Sequence, residues 1–304
     1  MLRNLDGKTL TEISIENEGQ LLGAADIRRI AAEEGITPTK KFGQNFVIDP
    51  GTVRKIVAAA EVKSGDIVME VGPGLGSLTL AILQTGAQLT AVEIDPPLAR
   101  RLPHTVEEFM PQSMQKFNVI LKDALTVNAD DVPQIAQAKQ FTLVANLPYN
   151  VATPIILTLL EKFSNLQNFL VMVQKEVADR LCAQPGNKVY GTPSVKLAWY
   201  GKAQRAGLIG RNVFWPSPNV DSALVSFTRN CTGKGDNNER EGVFAFIDAA
   251  FQQRRKTLHA ALKNQVPEEA YKNSGIDPTR RGETLTCDEF IALYRACKDC
   301  KNYK

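Results

Sequence analysis

Histidine is scarce in this sequence: the chain has two, His104 and His259, and neither lies inside a motif. Catalysis by a histidine general base is therefore not expected. Cysteine is also sparse, and its five scattered residues are typical of a reducing compartment, where disulfides are rare. Cys297 and Cys300 form a Cys-x-x-Cys pair with Cys287 nearby. Because a clear fourth ligand is lacking, the pattern favours free thiols over a metal site.

Long apolar runs and a strong net charge are both absent. No apolar stretch approaches the ~18 residues of a membrane span, and the N-terminus has no signal-peptide hydrophobic region. These absences predict a soluble, cytoplasmic protein with no membrane partner. The net charge of +3 is too small to indicate nucleic-acid binding by itself, so the distribution of charge matters more. A length of 304 residues allows one large domain and a small one.

Residues 66–95 have the pattern of a nucleotide-binding unit. The predicted order is a buried strand at 67–71, glycines at 72, 74 and 76, an apolar helix at 77–84 and a second strand at 89–94. Gly72 and Gly74 let the backbone turn sharply and approach a ligand with no Cβ in the way. Glu93, at the tip of the second strand, can accept hydrogen bonds from both ribose hydroxyls of a nucleoside.

The spacing of the glycines distinguishes between kinds of nucleotide. A dinucleotide site uses G-x-G-x-x-G with a pyrophosphate over the helix N-terminus, whereas here the third glycine comes one residue early and Pro73 stiffens the loop. This spacing suits a nucleoside without phosphates, such as S-adenosylmethionine. The alternative is a tight turn in an α/β domain that binds no nucleotide, and Glu93 favours the cofactor.

Residues 39–49 concentrate side-chain donors just before an expected helix at 50–60. Two lysines, an aromatic residue, a glycine and two amides in succession, including Lys40, Lys41 and Asn45, fit one face of neither a helix nor a strand. An ordinary loop would explain the turn residues but not so many donors. A lid over the polar tail of a cofactor explains both, because a carboxylate and an amine each need partners.

Two later strands also end in polar residues. Asp123 follows a strand at 118–121, where it can accept a hydrogen bond from the amine of adenine, although Asp is also a common helix N-cap. The turn Asn146-Leu147-Pro148-Tyr149 follows a strand at 141–145.

This turn carries the most specific chemical pattern in the chain. The amino group of a nucleobase is a poor nucleophile because its lone pair is delocalised into the ring. Acceptors around the N–H groups, namely the Asn146 side-chain oxygen and a backbone carbonyl, would free that lone pair. Tyr149 can stack on the base and hold it in line with a sulfonium methyl. A plain strand-ending turn would leave the aromatic residue unexplained.

The motifs KKFGQNFVID, EVGPGLGSLT, VEID, KDA, NLPYN and VFWPSPNVDSALV stand in the order and spacing of the ribosomal RNA adenine dimethyltransferases. The chain resembles this family over about residues 39–284. It is most similar to the bacterial members that dimethylate two adjacent adenosines near the 3′ end of small-subunit (16S) rRNA. The erythromycin-resistance members, which share the catalytic domain, modify a single adenosine of large-subunit rRNA.

The resemblance implies a class I S-adenosylmethionine-dependent methyltransferase: a Rossmann-like α/β sheet of seven mostly parallel strands, with a small all-α C-terminal domain. It also implies that Phe214 stacks on the target adenine, opposite Tyr149. Leucine is usual in the family where Val47 stands. With Gly74 added from the glycine loop, the predicted cofactor contacts are Asn45, Val47, Gly72, Gly74, Glu93, Asp123 and Asn146.

The C-terminal part is expected to bind RNA. After a polar, glycine-containing linker at 231–238 the pattern is helical only. Residues 231–304 hold 13 Lys or Arg against 11 Asp or Glu, so clusters of charge, rather than the net charge, indicate phosphate contacts. The predicted RNA contacts are Lys40, Lys41, Arg254, Arg255 and Lys256.

Together these patterns predict an N-terminal arm and helix at 1–38, an S-adenosylmethionine-binding catalytic domain at 39–230 and a helical RNA-binding domain at 238–304. The expected partner is small-subunit rRNA in the pre-30S subunit, and the expected oligomeric state is a monomer. Methyl transfer would be direct and in line, twice per base, with no covalent intermediate and no metal. The alternatives are an adenine methyltransferase acting on large-subunit rRNA or DNA, or a non-catalytic rRNA-binding assembly factor.

Overall fold

The computed structural model describes residues 19–37 and 44–302. The strands in this part of the chain are β1 (Phe46–Val47), β2 (Ile67–Val71), β3 (Gln88–Glu93), β4 (Phe117–Leu121), β5 (Phe141–Asn146), β6 (Leu166–Gln174), β7 (Gly201–Ile209), β8 (Phe214–Trp215) and β9 (Ser222–Arg229). The α-helices are α1 (Ala24–Glu33), α2 (Pro50–Ala59), α3 (Ser77–Gln84), α4 (Pro96–Phe109), α5 (Pro133–Gln137), α6 (Ala152–Lys162), α7 (Lys175–Leu181), α8 (Thr192–Tyr200), α9 (Asn237–Gln252), α10 (Leu258–Leu262), α11 (Glu268–Ser274) and α12 (Cys287–Asn302).

Seven of these strands form one sheet in the order β4-β3-β2-β5-β6-β9-β7. The five strands from β4 to β6 are paired in parallel, which confirms the predicted seven-stranded, mostly parallel α/β sheet. The chain runs from β2 outward through β3 to β4, and then returns to the other side of β2 as β5. Ligands of open α/β sheets bind at such a reversal of strand order, beyond the carboxyl ends of the strands.

Local sequence explains the helices around this reversal. Asp49 caps α2 by accepting a hydrogen bond from the Thr52 amide at 2.7 Å, and Pro50 occupies the first turn, where a missing N–H costs nothing. All eight residues of α3 are buried, because this helix follows the glycine loop directly against the sheet. Its apolar composition is therefore a consequence of its position.

The described part of the N-terminal arm belongs to the core. The expected helix is present as α1, and its buried residues Ile27, Ile30 and Ala31 join a hydrophobic cluster that also contains Leu21 and Leu22. Five buried apolar side chains therefore anchor the described part of the predicted arm and helix to the core.

The chain forms two compact units, Met1–Val173 with Leu208–Leu224, and Gln174–Gly207 with Val225–Lys304. In the second unit, Trp199 and Tyr200 of α8 make edge contacts with Phe244 of α9, with ring centroids 6.0 and 6.3 Å apart. Residues 174–207 therefore group with the C-terminal helices, whereas the sequence placed them with the catalytic domain. The sequence pattern did not single out α8, so this packing was not foreseen.

Within the described ranges, no helix is both long and apolar enough to cross a membrane. The same residues contain no group of three or more His, Cys, Asp or Glu side chains that could hold a metal ion. The five cysteines, all among the described residues, form no disulfide, and Cys287 and Cys297 are buried.

Candidate active site

One cavity in the first unit brings the predicted cofactor residues together at the carboxyl ends of β2, β3 and β5. All of them line it, and so do the residues of the turn after β5. The predicted residues in its wall are Asn45, Val47, Gly72, Gly74, Glu93, Asp123, Asn146, Leu147, Pro148 and Tyr149. Their roles as ligands stay predictions, but the fold supplies the proximity that those roles require.

The glycine loop is a tight turn that only glycine can form without strain. Gly72, Gly74 and Gly76 have φ values of +68°, +59° and +102°, in the region that disfavours side chains. A Cβ on Gly74 would also lie 2.9 Å from Cε1 of Phe46. The loop therefore leaves bare backbone at the cavity, and Phe46, which also lines the cavity, packs against Gly74.

Glu93 is held rigidly by backbone donors. Its Oε2 accepts a hydrogen bond from the Gly74 amide at 3.2 Å, and its Oε1 accepts from the amides of Ile94 at 2.9 Å and Asp95 at 3.0 Å. Burial raises the pKa of Glu93, and these three hydrogen bonds act in the opposite direction. A carboxylate has about four acceptor positions, so Glu93 can still receive ribose hydroxyls in this fixed orientation.

The segment 44–49 closes one side of the cavity. Gln44 donates through Nε2 to Oδ2 of Asp95 at 2.7 Å, and the Asn146 amide nitrogen donates to the carbonyl of Asn45 at 3.2 Å. These bonds tie the segment to the ends of β3 and β5. Because the second bond uses the nitrogen of the Asn146 amide as its donor, the oxygen of that amide is the atom that can accept a hydrogen bond from a ligand.

The same segment contains a strand that its sequence did not indicate. Phe46 and Val47 pair antiparallel with Trp215 and Phe214, respectively, and the Val47 carbonyl accepts from the Ser77 hydroxyl at 2.6 Å. The pattern of the whole segment fits one face of neither a helix nor a strand, yet Phe46 and Val47 form a short strand because partners 169 and 167 positions away supply the backbone pairing.

The turn after β5 is fixed by both backbone and side chain. Leu147 is buried, and its amide donates to the Met172 carbonyl at 3.0 Å. The Tyr149 phenol lies 2.8 Å from the Ser222 hydroxyl. Burial raises the pKa of Tyr149, with the Ser222 hydrogen bond acting against it. The phenol therefore stays protonated at neutral pH and shares a hydrogen bond with Ser222, while stacking of its ring on a base stays a prediction.

Asp123 caps a turn and not a helix, because no helix in the described part of the chain begins directly after β4. Its Oδ1 accepts a hydrogen bond from the Leu125 amide at 2.9 Å, so it stabilises the turn after β4. It also lines the cavity, where a carboxylate can meet an exocyclic amine. The two roles are compatible because the carboxylate has two oxygens.

Phe214 is placed differently from its expected position. The side chain is 3% exposed and packs in the hydrophobic cluster that contains Phe46 and Val47, and it is not part of the cavity wall. Trp215, the next residue, is partly exposed and stacks on Phe46 with centroids 6.3 Å apart. Contact of Phe214 with a target base stays a prediction, and it would require this side chain to leave its packing site.

The basic cluster in the second unit lies in a turn. The helix α9 ends at Gln252, before the predicted RNA contacts at 254–256. Of these, Arg255 and Lys256 are exposed. Arg254 donates to Oε2 of Glu283 and to the Lys188 carbonyl, each at 2.6 Å. Arg254 thus has a structural role within this unit. Lys40 and Lys41 lie outside the described residues.

Sequence reasoning missed Glu70, which also lines the cavity. This residue is 1% exposed and accepts a hydrogen bond from the Thr79 hydroxyl at 2.7 Å. Burial raises its pKa to about 8, against the effect of the Thr79 bond, and the charge of Glu93 contributes in the same direction as burial. The position of this acid within the otherwise apolar strand β2 is the sequence feature that could have indicated an unusual carboxyl group.

Comparisons with known proteins show what this chain is similar to. The family model described as "Ribosomal RNA adenine dimethylase" matches residues 37–299. A protein of Bifidobacterium adolescentis named "Ribosomal RNA small subunit methyltransferase A" is 68% identical, with 93% of this chain and 96% of that protein covered. A protein of the same name from Streptomyces griseus is 55% identical, with 90% and 94% covered.

Two solved structures share the fold. A dimethyladenosine transferase from Plasmodium falciparum has a TM-score of 0.67 at 23% identity, covering 81% of this chain and 94% of that one. The 23S rRNA methyltransferase ErmE has a TM-score of 0.63 at 22% identity, covering 84% and 100%. The family match and the high identities confirm the resemblance found in the motifs. The chain belongs to the ribosomal RNA adenine dimethylase family.

Proposed function

We propose that this protein transfers methyl groups from S-adenosylmethionine to N6 of adenine, twice per base, on two adjacent adenosines near the 3′ end of small-subunit rRNA. The single observation that carries the proposal is the cavity that joins the glycine loop and Glu93 to the Asn146–Tyr149 turn. The small-subunit specificity is supported by the names of relatives that are 52–68% identical.

The residues of the cavity fit S-adenosylmethionine. Glu93 offers an oriented carboxylate for the ribose hydroxyls, Asp123 an acceptor for the adenine amine, and the loop at Gly72 bare backbone for close approach. The segment at Asn45 and Val47 covers the side where the amino-acid tail would lie. When bound, this cofactor supplies a methyl group activated by its attachment to a sulfonium.

The chain's own residues then act on the acceptor base. The Asn146 side-chain oxygen and a neighbouring backbone carbonyl accept the N6 hydrogens, so the amine lone pair is turned toward the donor. Tyr149 stacks on the base and excludes water from one face. The cavity presents no histidine, and the proton lost from the methylated amine passes to water. We expect no covalent intermediate and no metal.

Labelled S-adenosylmethionine offered to undermethylated small subunits, large subunits, naked rRNA and duplex DNA tests this proposal. The expected result is label in small subunits only, mapping to two adjacent dimethyladenosines. Label in large subunits would instead indicate the erythromycin-resistance type of activity. Cofactor and rRNA binding without transfer to any substrate would indicate an assembly factor. The substrate implies a protein that works in the cytoplasm with the pre-30S subunit, and we expect it to act as a monomer.

A further inference from the structure

The second unit contains a concave surface that the proposed chemistry does not use. It lies where β7 begins and β9 ends, and we call it the basic pocket. Its lining residues are Lys202, Thr228, Arg229, Asn230 and the segment 231–234. Among the described residues, every side chain in this lining is polar or cationic apart from the Cys231 thiol, and none is acidic.

The segment that forms the wall of the basic pocket is held by hydrogen bonds, although the sequence predicted a linker there. The Asn230 amide donates to the Tyr200 carbonyl at 2.9 Å, which fixes the start of the segment. At its other end the Lys234 carbonyl accepts from Nη2 of Arg295 at 2.8 Å. Gly201 packs closely against β9, because a Cβ on it would lie 2.2 Å from the Thr228 carbonyl oxygen. The segment is therefore held at both ends against a close-packed base.

Three cations converge on this surface. Lys202 is exposed and Lys234 is half-buried, and Lys234 makes an ion pair with Asp288, whose side chain is 74% exposed. The guanidinium carbon of Arg229 lies 5.5 Å from the centroid of the Tyr200 ring, and burial lowers the pKa of Arg229. Lys202, Arg229 and Lys234 all line the basic pocket, so an anion bound there would be attracted by three positive charges.

We propose that the basic pocket binds one phosphate of an RNA backbone. An Arg fork matches two phosphate oxygens, and a Lys ammonium adds a mobile point charge. Polar side chains of Thr228, Asn230 and the 231–234 segment can satisfy the remaining oxygens. The choice of RNA rather than a free anion rests on the proposed function, because an enzyme that acts on rRNA meets this group as a polymer.

The test compares Lys202→Ala and Lys202→Glu with Arg205→Ala in the full chain. Arg205 lies on the same strand but already pairs with Asp179 at 2.7 Å and lies outside the pocket lining. Binding of a single-stranded RNA and of small subunits is measured at several salt concentrations. We expect Lys202→Ala to weaken binding about threefold to tenfold and to reduce the salt slope by about one. Lys202→Glu should weaken it further, and Arg205→Ala should match the wild type.

A parallel titration with inorganic phosphate separates the two sources of this ligand. Weak phosphate binding that Lys202→Glu abolishes, together with the altered RNA slope, supports the proposal. Phosphate binding with unchanged RNA slopes overturns it in favour of a free-anion site. An equal loss of RNA binding in the Arg205→Ala variant also overturns the proposal, because it would show that binding depends on overall positive charge and not on the basic pocket. Methylation is assayed in parallel, so a wild type that binds RNA with this slope but transfers no methyl group refutes the proposed function alone.

Discussion

The Tyr149 phenol and the Ser222 hydroxyl lie 2.8 Å apart although 73 positions separate them in the chain. Tyr149 ends the turn that follows β5, and Ser222 is fully buried at the start of β9. This hydrogen bond holds the Tyr149 ring by its phenol oxygen. The strand that carries Ser222 thereby helps to set the position of the ring proposed to stack on the target base.

Removing this bond should slow catalysis without weakening cofactor binding. Ser222→Ala and Tyr149→Phe should each cost about 0.5–1.5 kcal/mol, seen as a lower kcat with an unchanged Kd for S-adenosylmethionine. The double variant should be no worse than either single one, because both remove the same bond. Ser217→Ala, at an exposed serine nearby, is the matched control. Fully additive losses would show that the two side chains act independently.

Glu93→Ala should weaken S-adenosylmethionine binding by about 1.5–3 kcal/mol, the range for hydrogen bonds to a charged group. The physical reason is the loss of the carboxylate that the amides of Gly74, Ile94 and Asp95 hold in place. Calorimetry on folded protein measures the effect, and Glu107→Ala, on an exposed helix face, is the control. An unchanged affinity would remove Glu93 from the cofactor site.

The buried Glu70 should make stability fall as pH rises. Its folded pKa of about 8 lies above the ordinary value of 4.5, so the folded protein retains a proton that the unfolded chain releases. The stabilisation is complete below about pH 4.5 and is lost progressively toward pH 8, at up to about 1.4 kcal/mol per pH unit. Glu70→Gln should flatten this fall in denaturant unfolding between pH 5 and 8. Glu107→Gln should leave it unchanged; an equal slope in all three proteins would contradict the prediction.

Replacing Arg254, Arg255 and Lys256 with alanine should weaken binding to small subunits and flatten its salt dependence. The structure separates two contributions. Arg255→Ala with Lys256→Ala should account for the change in salt slope, because these side chains are exposed. Arg254→Ala should mainly remove the ion pair with Glu283, at a cost in stability of about 0.2–1 kcal/mol. An unaltered slope in the triple variant would assign the cluster a purely structural role.

Phe214→Leu tests whether this side chain reaches the target base. If it stacks, losing about 1–3 kcal/mol of stacking should slow methylation roughly tenfold to a hundredfold and let monomethyladenine accumulate, with cofactor binding intact. Leucine retains most of the apolar packing, so stability should fall by less than about 1.5 kcal/mol. Phe141→Leu, at a buried ring paired with Phe163, controls for core effects. Mass spectrometry of digested rRNA showing wild-type rates and no monomethyl product would make Phe214 a core residue.

The sequence by itself determined the nucleotide-binding half of the fold and most of the cavity. Strands β2 to β5 and the glycine loop follow from apolar runs, glycine spacing and terminal acids, because these are local patterns with local physical causes. Parallel strands bring their carboxyl ends to one edge of the sheet. For that reason the sequence alone could predict that Glu93, Asp123 and Asn146 lie close together.

Only the tertiary structure decided the contacts between distant segments. The pairing of β1 with β8 and the bond from Tyr149 to Ser222 depend on partners far apart in the chain, which no local pattern encodes. Likewise, burial and the charge of Glu93 together raise the pKa of Glu70, and the surrounding packing places Phe214 in the core. The segment 231–234 has the composition of a linker, yet hydrogen bonds at both ends make it a wall.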